Sequence, residues 1–301
     1  MPLTFADLRR RIRMRTGNKI DDPRAEMVLR EKIEEIWLRE DWSFRQKEGV
    51  LTTAAPIATG TVTLNVDKTK VDGTGTGWTS SVVGFKFRAA NDNSYYTVTA
   101  VNVATQQLTL ESAYATVAFT GSVYRLFKNL YAMPSDFKTM VSMSYWWRLG
   151  EGTPQGVDRY DARRSFTSTQ PASFIYRGED ASGIEQVEIS PVPSAAIAIH
   201  FVYRSKPPTW SDTLLVPLNE TLLTYLSAAD ALYLLAVEEP TQAQGYIAIA
   251  DKYQTLGQNA LAEASWADTK LRGIQKSVRD EAGEGHFSDD YAVSHDINGP
   301  I

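Results

Sequence analysis

The hydrophobic pattern of the chain changes twice, and this change constrains the fold more than any other feature of the sequence. Apolar side chains follow helical spacing before about Gly49, whereas residues 49–128 are rich in glycine and β-branched side chains and alternate with period two. Mixed and then helical patterns return from about Leu130. We therefore predict an α+β protein in which a β-rich module interrupts a helical domain.

Two helices are predicted at the N-terminus. Thr4 and Asp7 have the spacing of a capping box, and they precede an apolar stripe at helical spacing. This stripe consists of Phe5, Leu8 and Ile12. Asp22 followed by Pro23 predicts the start of the second helix, with proline at the first helical position, and this helix should fade near Asp41.

The middle of the chain is predicted to form a small antiparallel β-barrel or sandwich. Its alternating segments are short and are separated by turn-forming residues, which is typical of compact antiparallel folds. The segments comprise residues 61–66, 85–88, 95–101, 108–110 and 123–127. We place the boundaries of this inserted module at residues 49 and 128.

The C-terminal half combines short strand-like runs with two long helices. Alternating runs occur at about 138–146, 173–177, 184–190 and 195–204. A nearly all-apolar helix is predicted over about 219–237, and a second helix beginning at Pro240 should pack on it as an αα-hairpin. Apolar periodicity ends near 265. Residues 1–48 and 129–264 are therefore assigned to one discontinuous helical domain with short strands, and residues 265–301 to an extended acidic tail.

The residue inventory limits the possible chemistry. The chain has no cysteine and three histidines, which excludes disulfides, thiol nucleophiles and cysteine zinc sites. His286, Asp289, Asp290 and His295 lie in the predicted tail, where no helix would fix metal-ligand geometry. We predict no catalytic residue, no metal and no cofactor. The charged residues around Asp158 and Arg164 are interpreted as a solvated helix face.

Two sets of residues are candidates for contacts with partners. Residues 1–20 contain six basic side chains and one acidic one, a net charge of 6 − 1 = +5, although the whole chain carries −5. The arginines of this helix are candidates for contact with DNA or an acidic partner; they are Arg9, Arg10, Arg11, Arg13 and Arg15. The alternatives are an ordinary face of an amphipathic helix or a helix on a membrane surface.

Tryptophans outside the long apolar helical stripes form the second set. Tryptophan is enriched at the centres of protein interfaces, although each of these side chains could equally belong to a domain core. The candidates for an assembly interface are Trp42, Trp146, Trp147, Trp210 and Trp266.

The order of these segments resembles one known family. Two sequence stretches flank the mixed region, Leu130-Tyr-Ala-Met-Pro-Ser-Asp-Phe137 and Tyr203-Arg-Ser-Lys-Pro-Pro208. Together with the helical start, the β insert and the αα-hairpin, they resemble head-to-tail adaptor (connector or head-completion) proteins of tailed bacteriophages. The resemblance covers roughly residues 1–264.

This resemblance implies a structural protein of the virion neck that is made in the host cytoplasm. Such a protein would form a ring of about twelve copies below the portal protein. Its helices would surround the channel through which genomic DNA passes, and the β module would project outward or toward the tail. Its partners would be the portal, tail, nozzle or further neck proteins and other copies of itself, with no membrane and no catalytic residues.

Three other functions remain open from the sequence. A tail-tube or baseplate component could carry the same insert. A carbohydrate- or surface-binding protein could use an aromatic platform of Trp78, Tyr95 and Tyr96 on the β module. An enzyme would have to rely on the charged cluster at residues 158–164, with Asp158 as its candidate acid or base.

Overall fold

The computed structural model describes residues 3–64, 67–90, 92, 94–114, 120–145, 147–162 and 164–283. The chain divides into two compact units. The helical unit combines residues 1–45 and 207–301, and the β unit comprises residues 46–206. The protein is therefore a mixed α+β protein, as the sequence predicts.

Five helices are present in the described residues. They are α1 (Phe5–Arg15), α2 (Asp22–Arg39), α3 (Pro154–Asp161), α4 (Glu220–Glu238) and α5 (Ala243–Gly283). The predicted capping box is confirmed: the Thr4 hydroxyl accepts from the N–H of Asp7, whose carboxylate accepts from Thr4. Helix α2 differs slightly, because Asp21 is its N-cap and accepts a hydrogen bond from the N–H of Arg24.

Helix α4 is the central helix of the helical unit. Asn219 caps it by accepting from the N–H groups of Thr221 and Leu222. Among the described residues it is the one helix long and apolar enough to cross a membrane, but 61% of its most apolar stretch is buried within the protein. The helices α1, α2 and α5 surround it and share one hydrophobic core with it.

Helices α4 and α5 form the predicted hairpin, although α5 begins at Ala243 rather than at Pro240. Gly257 brings the two helices into close contact, since a Cβ atom at this position would lie 2.4 Å from Leu226 Cδ2.

The prediction of an extended tail from residue 265 is wrong up to Gly283, because α5 continues to that residue. Residues 265–283 lack an apolar stripe but contain many strong helix formers, including alanine, lysine, arginine and glutamine. The helix can therefore continue here without an apolar stripe, and the buried Asp268 also holds it to Ser43. The rest of the predicted tail, residues 284–301, lies outside the described residues.

The β unit contains fifteen strands in the described residues. Those of the first half are β1 (Gln46–Thr52), β2 (Thr61–Leu64), β3 (Lys70–Thr74), β4 (Lys86–Ala89), β5 (Tyr96–Asn102), β6 (Gln107–Leu110) and β7 (Tyr124–Phe127). Those of the second half are β8 (Leu130–Ala132), β9 (Phe137–Ser144), β10 (Gly150–Glu151), β11 (Thr167–Ser168), β12 (Ser173–Glu179), β13 (Glu185–Ser190), β14 (Val192–Pro193) and β15 (Ala198–Ser205).

The predicted β module corresponds to a six-stranded antiparallel sheet with the order β2-β3-β6-β5-β4-β7. The sheet curls into a half-barrel, and isolated bridges join Ile57 to Leu126 and Val62 to Ser122. Its own core contains Trp78, Phe87 and Leu108. The predicted N-terminal boundary at residue 49 falls inside β1, which belongs to another sheet, so the module begins after Thr52.

The assignment of residues 129–206 to the helical domain requires correction. Strand β1 pairs with β15, and β15 pairs with β9, so residues 46–52, 137–144 and 198–205 form one sheet. The strands β10, β12, β13 and β8 form a second sheet, and β11 pairs with β14. A separate core that includes Tyr131, Ile199 and Phe201 unites these residues. Apart from α3, helices resume only at Glu220.

Candidate functional site

Most arginines of α1 have partners within the same chain. Arg9 Nη1 lies 3.0 Å from Glu26 Oε2 and 3.1 Å from Asp212 Oδ1. The two other ion pairs join Arg11 to Glu220 at 3.4 Å and Arg13 to Asp22 at 2.7 Å. These contacts connect α1 to α2 and to the segment that leads into α4. Much of the charge that marks this helix in the sequence therefore contributes to packing of the helical unit.

Two arginines of α1 remain exposed without such pairing. The guanidinium of Arg15 lies 4.1 Å from the ring centroid of Tyr225 and 5.7 Å from that of Tyr253. Such cation–π contacts leave the charge itself uncompensated. Within the part of the chain that the structure describes, neither Arg10 nor Arg15 forms an ion pair. These two side chains are available to an acidic partner.

The five candidate tryptophans fall into three groups. Trp42 and Trp210 are buried in the core of the helical unit, where Trp210 packs against Phe5 and Trp37. Both side chains pack in this core and therefore stabilise the fold, and the small exposed part of Trp42 borders a cleft. Trp147 and Trp266 are 40% and 69% exposed and are free to contact another protein. Trp146 lies outside the described residues.

Trp266 belongs to a larger set of exposed apolar side chains. Exposed apolar residues on a soluble protein often mark a surface that a partner covers. Ten large ones occur in the described helical unit: Met14, Met27, Leu38, Leu215, Leu234, Val237, Ile247, Ile249, Leu256 and Trp266. Five of them lie on the α4–α5 hairpin between residues 234 and 256.

Two clefts lie along the middle of α5, between Gln258 and Thr269. One, of about 590 Å³, is lined by Trp42, Phe44 and residues 216–221 together with Ala264, Ala267 and Asp268. The other, of about 420 Å³, has Trp266 in its wall opposite Arg39 and Glu40. In the first cleft Asp268 accepts hydrogen bonds from the N–H of Ser43, at 3.0 and 3.1 Å, and from its hydroxyl, at 2.5 Å. The Asp268 carboxylate therefore fixes the chain after α2.

The charged cluster at residues 158–164 differs from the predicted solvated face. Arg164 is 3% exposed and donates to the buried carboxylate of Glu188, and its Nη2 lies 2.5 Å from Asp158 Oδ1. Arg177 contacts the same two carboxylates, at 2.5 Å from Glu188 Oε2 and 3.1 Å from Asp158 Oδ1. Hydrogen bonds from Arg177 and Arg164 lower the pKa of Asp158. This holds Asp158 as a carboxylate, whereas a general acid needs a raised pKa.

Glu188 is the member of this network that sequence reasoning missed. It is 1% exposed, and Asn129 Nδ2 also donates to it at 2.8 Å. A charged residue in the buried run Val187-Glu188-Ile189 was the available signal, because a carboxylate is buried only when cations or hydrogen bonds compensate it. The sequence does not show which arginines supply that compensation.

The proposed aromatic platform on the β module is not available. Trp78 is 1% exposed and Tyr96 is 8% exposed, and both pack in the core of the curled sheet. Trp78 Nε1 donates to the Tyr124 hydroxyl at 2.9 Å. Neither ring offers a free face to a sugar. Tyr95 is half-buried and packs against Phe127, so the three residues do not form a shared platform.

Among the described residues, no group of three or more His, Asp or Glu side chains is arranged to hold a metal ion. His286, Asp289, Asp290 and His295, which the sequence places in the C-terminal segment, lie outside the described residues. A scan against protein-family models finds no match, and no curated protein is similar to the chain in sequence. Two features of the described helical unit therefore point to contacts with a partner. They are its exposed apolar side chains and the two α1 arginines without ion pairs, Arg10 and Arg15.

Proposed function

We propose that the protein is a head-to-tail adaptor of a tailed bacteriophage. In this proposal it acts by assembly: several copies form a ring below the portal protein, extend the DNA channel and provide the surface to which tail or further neck proteins attach. The order of sequence segments described above supports the phage setting. The proposal assigns the protein no catalytic residue and no cofactor, and places it in the neck of the virion.

The observation that carries the proposal is the set of exposed apolar side chains on the helical unit. Fully burying one such side chain contributes about 1.5–3 kcal/mol, so a partner that covers several of them gains substantial stabilisation. Helix α5 has 41 residues and is about 60 Å long at 1.5 Å per residue. A helix of this length offers a long surface for side-by-side packing of copies.

The charge distribution is compatible with a channel through which DNA slides. A protein that makes many phosphate contacts binds DNA tightly, and each contact would resist movement. The chain has a net charge of −5, and Arg9, Arg11 and Arg13 form ion pairs within the chain. In the proposed adaptor, DNA therefore passes the ring without strong sequence-independent binding.

Electron microscopy of the purified chain mixed with its portal protein tests the proposal. The expected result is a second ring stacked coaxially on the portal. Val237→Glu, at an 81% exposed position of the helical unit, should prevent this ring from forming, whereas Val123→Glu, at a 62% exposed position of the β unit, should not. Portal particles that never acquire a second ring with the unmodified chain would overturn the proposal.

A further inference from the structure

We propose that copies of this chain associate head to tail through two opposite flanks of the α4–α5 hairpin. Flank A consists of Asp230, Leu234, Val237, Ile247 and Asp251. Flank B consists of Arg15, Ile249, Lys252, Tyr253 and Leu256. The inference deepens the proposed function and takes its biological setting from it, because it specifies which surfaces join neighbouring subunits of the ring.

The geometry of flank A follows from one hydrogen bond between the two helices. The Tyr233 hydroxyl donates to Asp251 Oδ1 at 2.7 Å and thereby fixes the level at which α4 and α5 meet. Val237 lies four residues after Tyr233, and Ile247 lies four residues before Asp251. Because residues four apart share a helix face and the helices are antiparallel, Val237 and Ile247 come together near the connection. They are 81% and 41% exposed.

Flank B lies on the side of α5 that contacts α1. Arg15 of α1 is stacked over Tyr253 of α5. Ile249 is four residues before Tyr253 and Leu256 is three residues after it, so all three share this face. Lys252 lies between the two apolar residues on the same exposed surface. Flank B is thus an apolar strip with basic residues beside it.

Within one chain, flank A cannot cover the exposed apolar side chains of flank B. Ile247 and Ile249 are two residues apart and therefore point to nearly opposite sides of α5. A symmetric dimer that paired A with A would leave B exposed. A head-to-tail contact, in which A of one copy meets B of the next, covers both flanks on every copy and closes into a ring when the rotation allows.

The charges of the two flanks are complementary. On flank A, Asp230 and Glu35 share the single ammonium of Lys32, at 2.8 and 2.5 Å, so one negative charge is in excess. In the described residues Asp251 has no cationic partner, and neither Arg15 nor Lys252 of flank B has an anionic one. Opposite charges steer association and fix its register, whereas like charges oppose A–A and B–B contacts. The occupant of each flank is therefore a second copy of this chain.

Disulfide trapping tests the contact directly, since the native chain has no cysteine. The full chain carrying both Val237→Cys and Ile249→Cys is oxidised under native conditions and separated on a non-reducing denaturing gel. We expect a ladder of linked multimers. The body of α5 separates the two flanks in one chain, and a disulfide requires Cα atoms within about 7 Å, so linkage within the chain is disfavoured.

The single variants decide between symmetric and head-to-tail contacts. Val237→Cys alone and Ile249→Cys alone should remain monomeric on the gel, and an equal mixture of the two should give heterodimers. Dimers of Val237→Cys alone would establish an A–A contact and overturn the inference. A double variant that gives no linked species would overturn it as well. Both positions are exposed, so the variants should fold, which circular dichroism checks.

A charge reversal gives an independent readout of the same contact. Arg15→Glu should weaken the ladder of the double variant, whereas Arg159→Glu, an equal charge change at an exposed site of the β unit, should leave it intact. Equal loss in both would indicate a general charge effect and count against the inference. The two proposals fail separately: a ladder without portal binding refutes the adaptor function alone, and stacked rings without a ladder refute the flank contact alone.

Discussion

Among the described charged residues, Glu188 is the most completely buried, with 1% of its surface exposed. Its carboxylate lies inside the β unit and binds Arg164, Arg177 and Asn129, and Arg164 is itself buried. A buried ion pair of this kind contributes little net stability compared with apolar residues, but loss of one member leaves the other charge buried and unpaired. Helix α3 buries no side chain of its own, so Asp158 is its main anchor to this network.

We expect Glu188→Gln to destabilise the β unit by about 3–5 kcal/mol, because Arg164 would keep its charge but lose its buried carboxylate. Urea unfolding of the full chain measures this change. Glu185→Gln on the same strand is the control, since Glu185 is only half-buried. Equal and small effects of the two substitutions would contradict the role assigned to Glu188.

Ionisation of the Tyr203 hydroxyl should make the free energy of unfolding depend on pH in the alkaline range. Burial, together with the hydrogen bond that its hydroxyl donates to Asp136, raises its pKa to about 12 from an ordinary value of 10.0. Between these two pH values the folded chain keeps a proton that the unfolded chain has lost. The stabilisation is therefore complete below pH 10 and is lost as the pH rises toward about 12.

Denaturant unfolding from pH 8 upward checks this expectation. Tyr203→Phe should lower stability by about 1 kcal/mol at neutral pH through the lost hydrogen bond. It should also make the decline above pH 10 shallower, because phenylalanine does not titrate. Tyr160→Phe removes the hydroxyl of an 81% exposed tyrosine and should reproduce the original profile. Identical alkaline profiles for Tyr203→Phe and the unmodified chain would show that another group controls the transition.

Predictions for single residues were correct where the interacting residues are close in the sequence and wrong where they are far apart in it. The capping box at Thr4 involves residues three apart, so the sequence contains the whole interaction. Glu188 and Arg164 are 24 residues apart, and their pairing depends on how α3 approaches β13. The sequence offers Trp78 as part of an aromatic platform, but the curl of the sheet places its ring inside.

At the level of elements, the contact between α4 and α5 depends on one glycine. The side chain of Leu226 occupies the space that a Cβ atom at position 257 would need. Gly245 lies on the same helix, and a Cβ atom there would meet no atom within 4 Å. Replacing glycine by alanine at position 257 and at position 245 therefore distinguishes the effect of packing against α4 from the effect of helix propensity.

We expect Gly257→Ala to destabilise the helical unit by about 1–3 kcal/mol, because the added methyl group forces Leu226 or α5 to move. Gly245→Ala should instead stabilise it by about 0.5–1 kcal/mol, since alanine favours the helix over glycine. Thermal unfolding of the two variants measures both effects. A stabilising effect at position 257 would mean that the two helices do not approach as closely as described.

The sequence predicted most elements because hydrophobic periodicity is a strong signal, but it misplaced where some of them end. Helix α4 and strand β13 match their predicted positions to within a residue or two. Helix α5 extends beyond the point where its apolar stripe stops, because helix propensity favours it and the buried Asp268 binds Ser43. The first β strand was missed: its seven residues alternate poorly, and its pairing with β15 is a contact between segments about 150 residues apart.

At the level of the whole molecule, the chain leaves the helical unit after Arg45 and returns to it at Pro207. The sequence suggested that only residues 49–128 are an insertion, because local patterns cannot show that β1, β9 and β15 share a sheet. Removing residues 49–128 would cut β1 and expose that sheet. The structure indicates that the independent part is the helical unit without residues 46–206.

A chain in which a short Gly-Ser linker replaces residues 46–206 should therefore fold as a stable helical protein. Gln46 pairs with Arg204, so the β unit begins and ends on neighbouring strands, whose paired Cα atoms lie roughly 5 Å apart. Arg45 and Pro207, the ends to be joined, lie only one and three residues beyond this pair. Cooperative thermal unfolding followed by far-ultraviolet circular dichroism is the measurement. Leu29→Ala tests whether the core is native-like. Removing this fully buried side chain should destabilise the shortened chain and the full chain alike by about 2–5 kcal/mol. Unfolding without cooperativity, or no effect of Leu29→Ala in the shortened chain, would mean that the helical unit depends on the β unit for its fold. Assembly through the α4–α5 hairpin would then require the β unit as well.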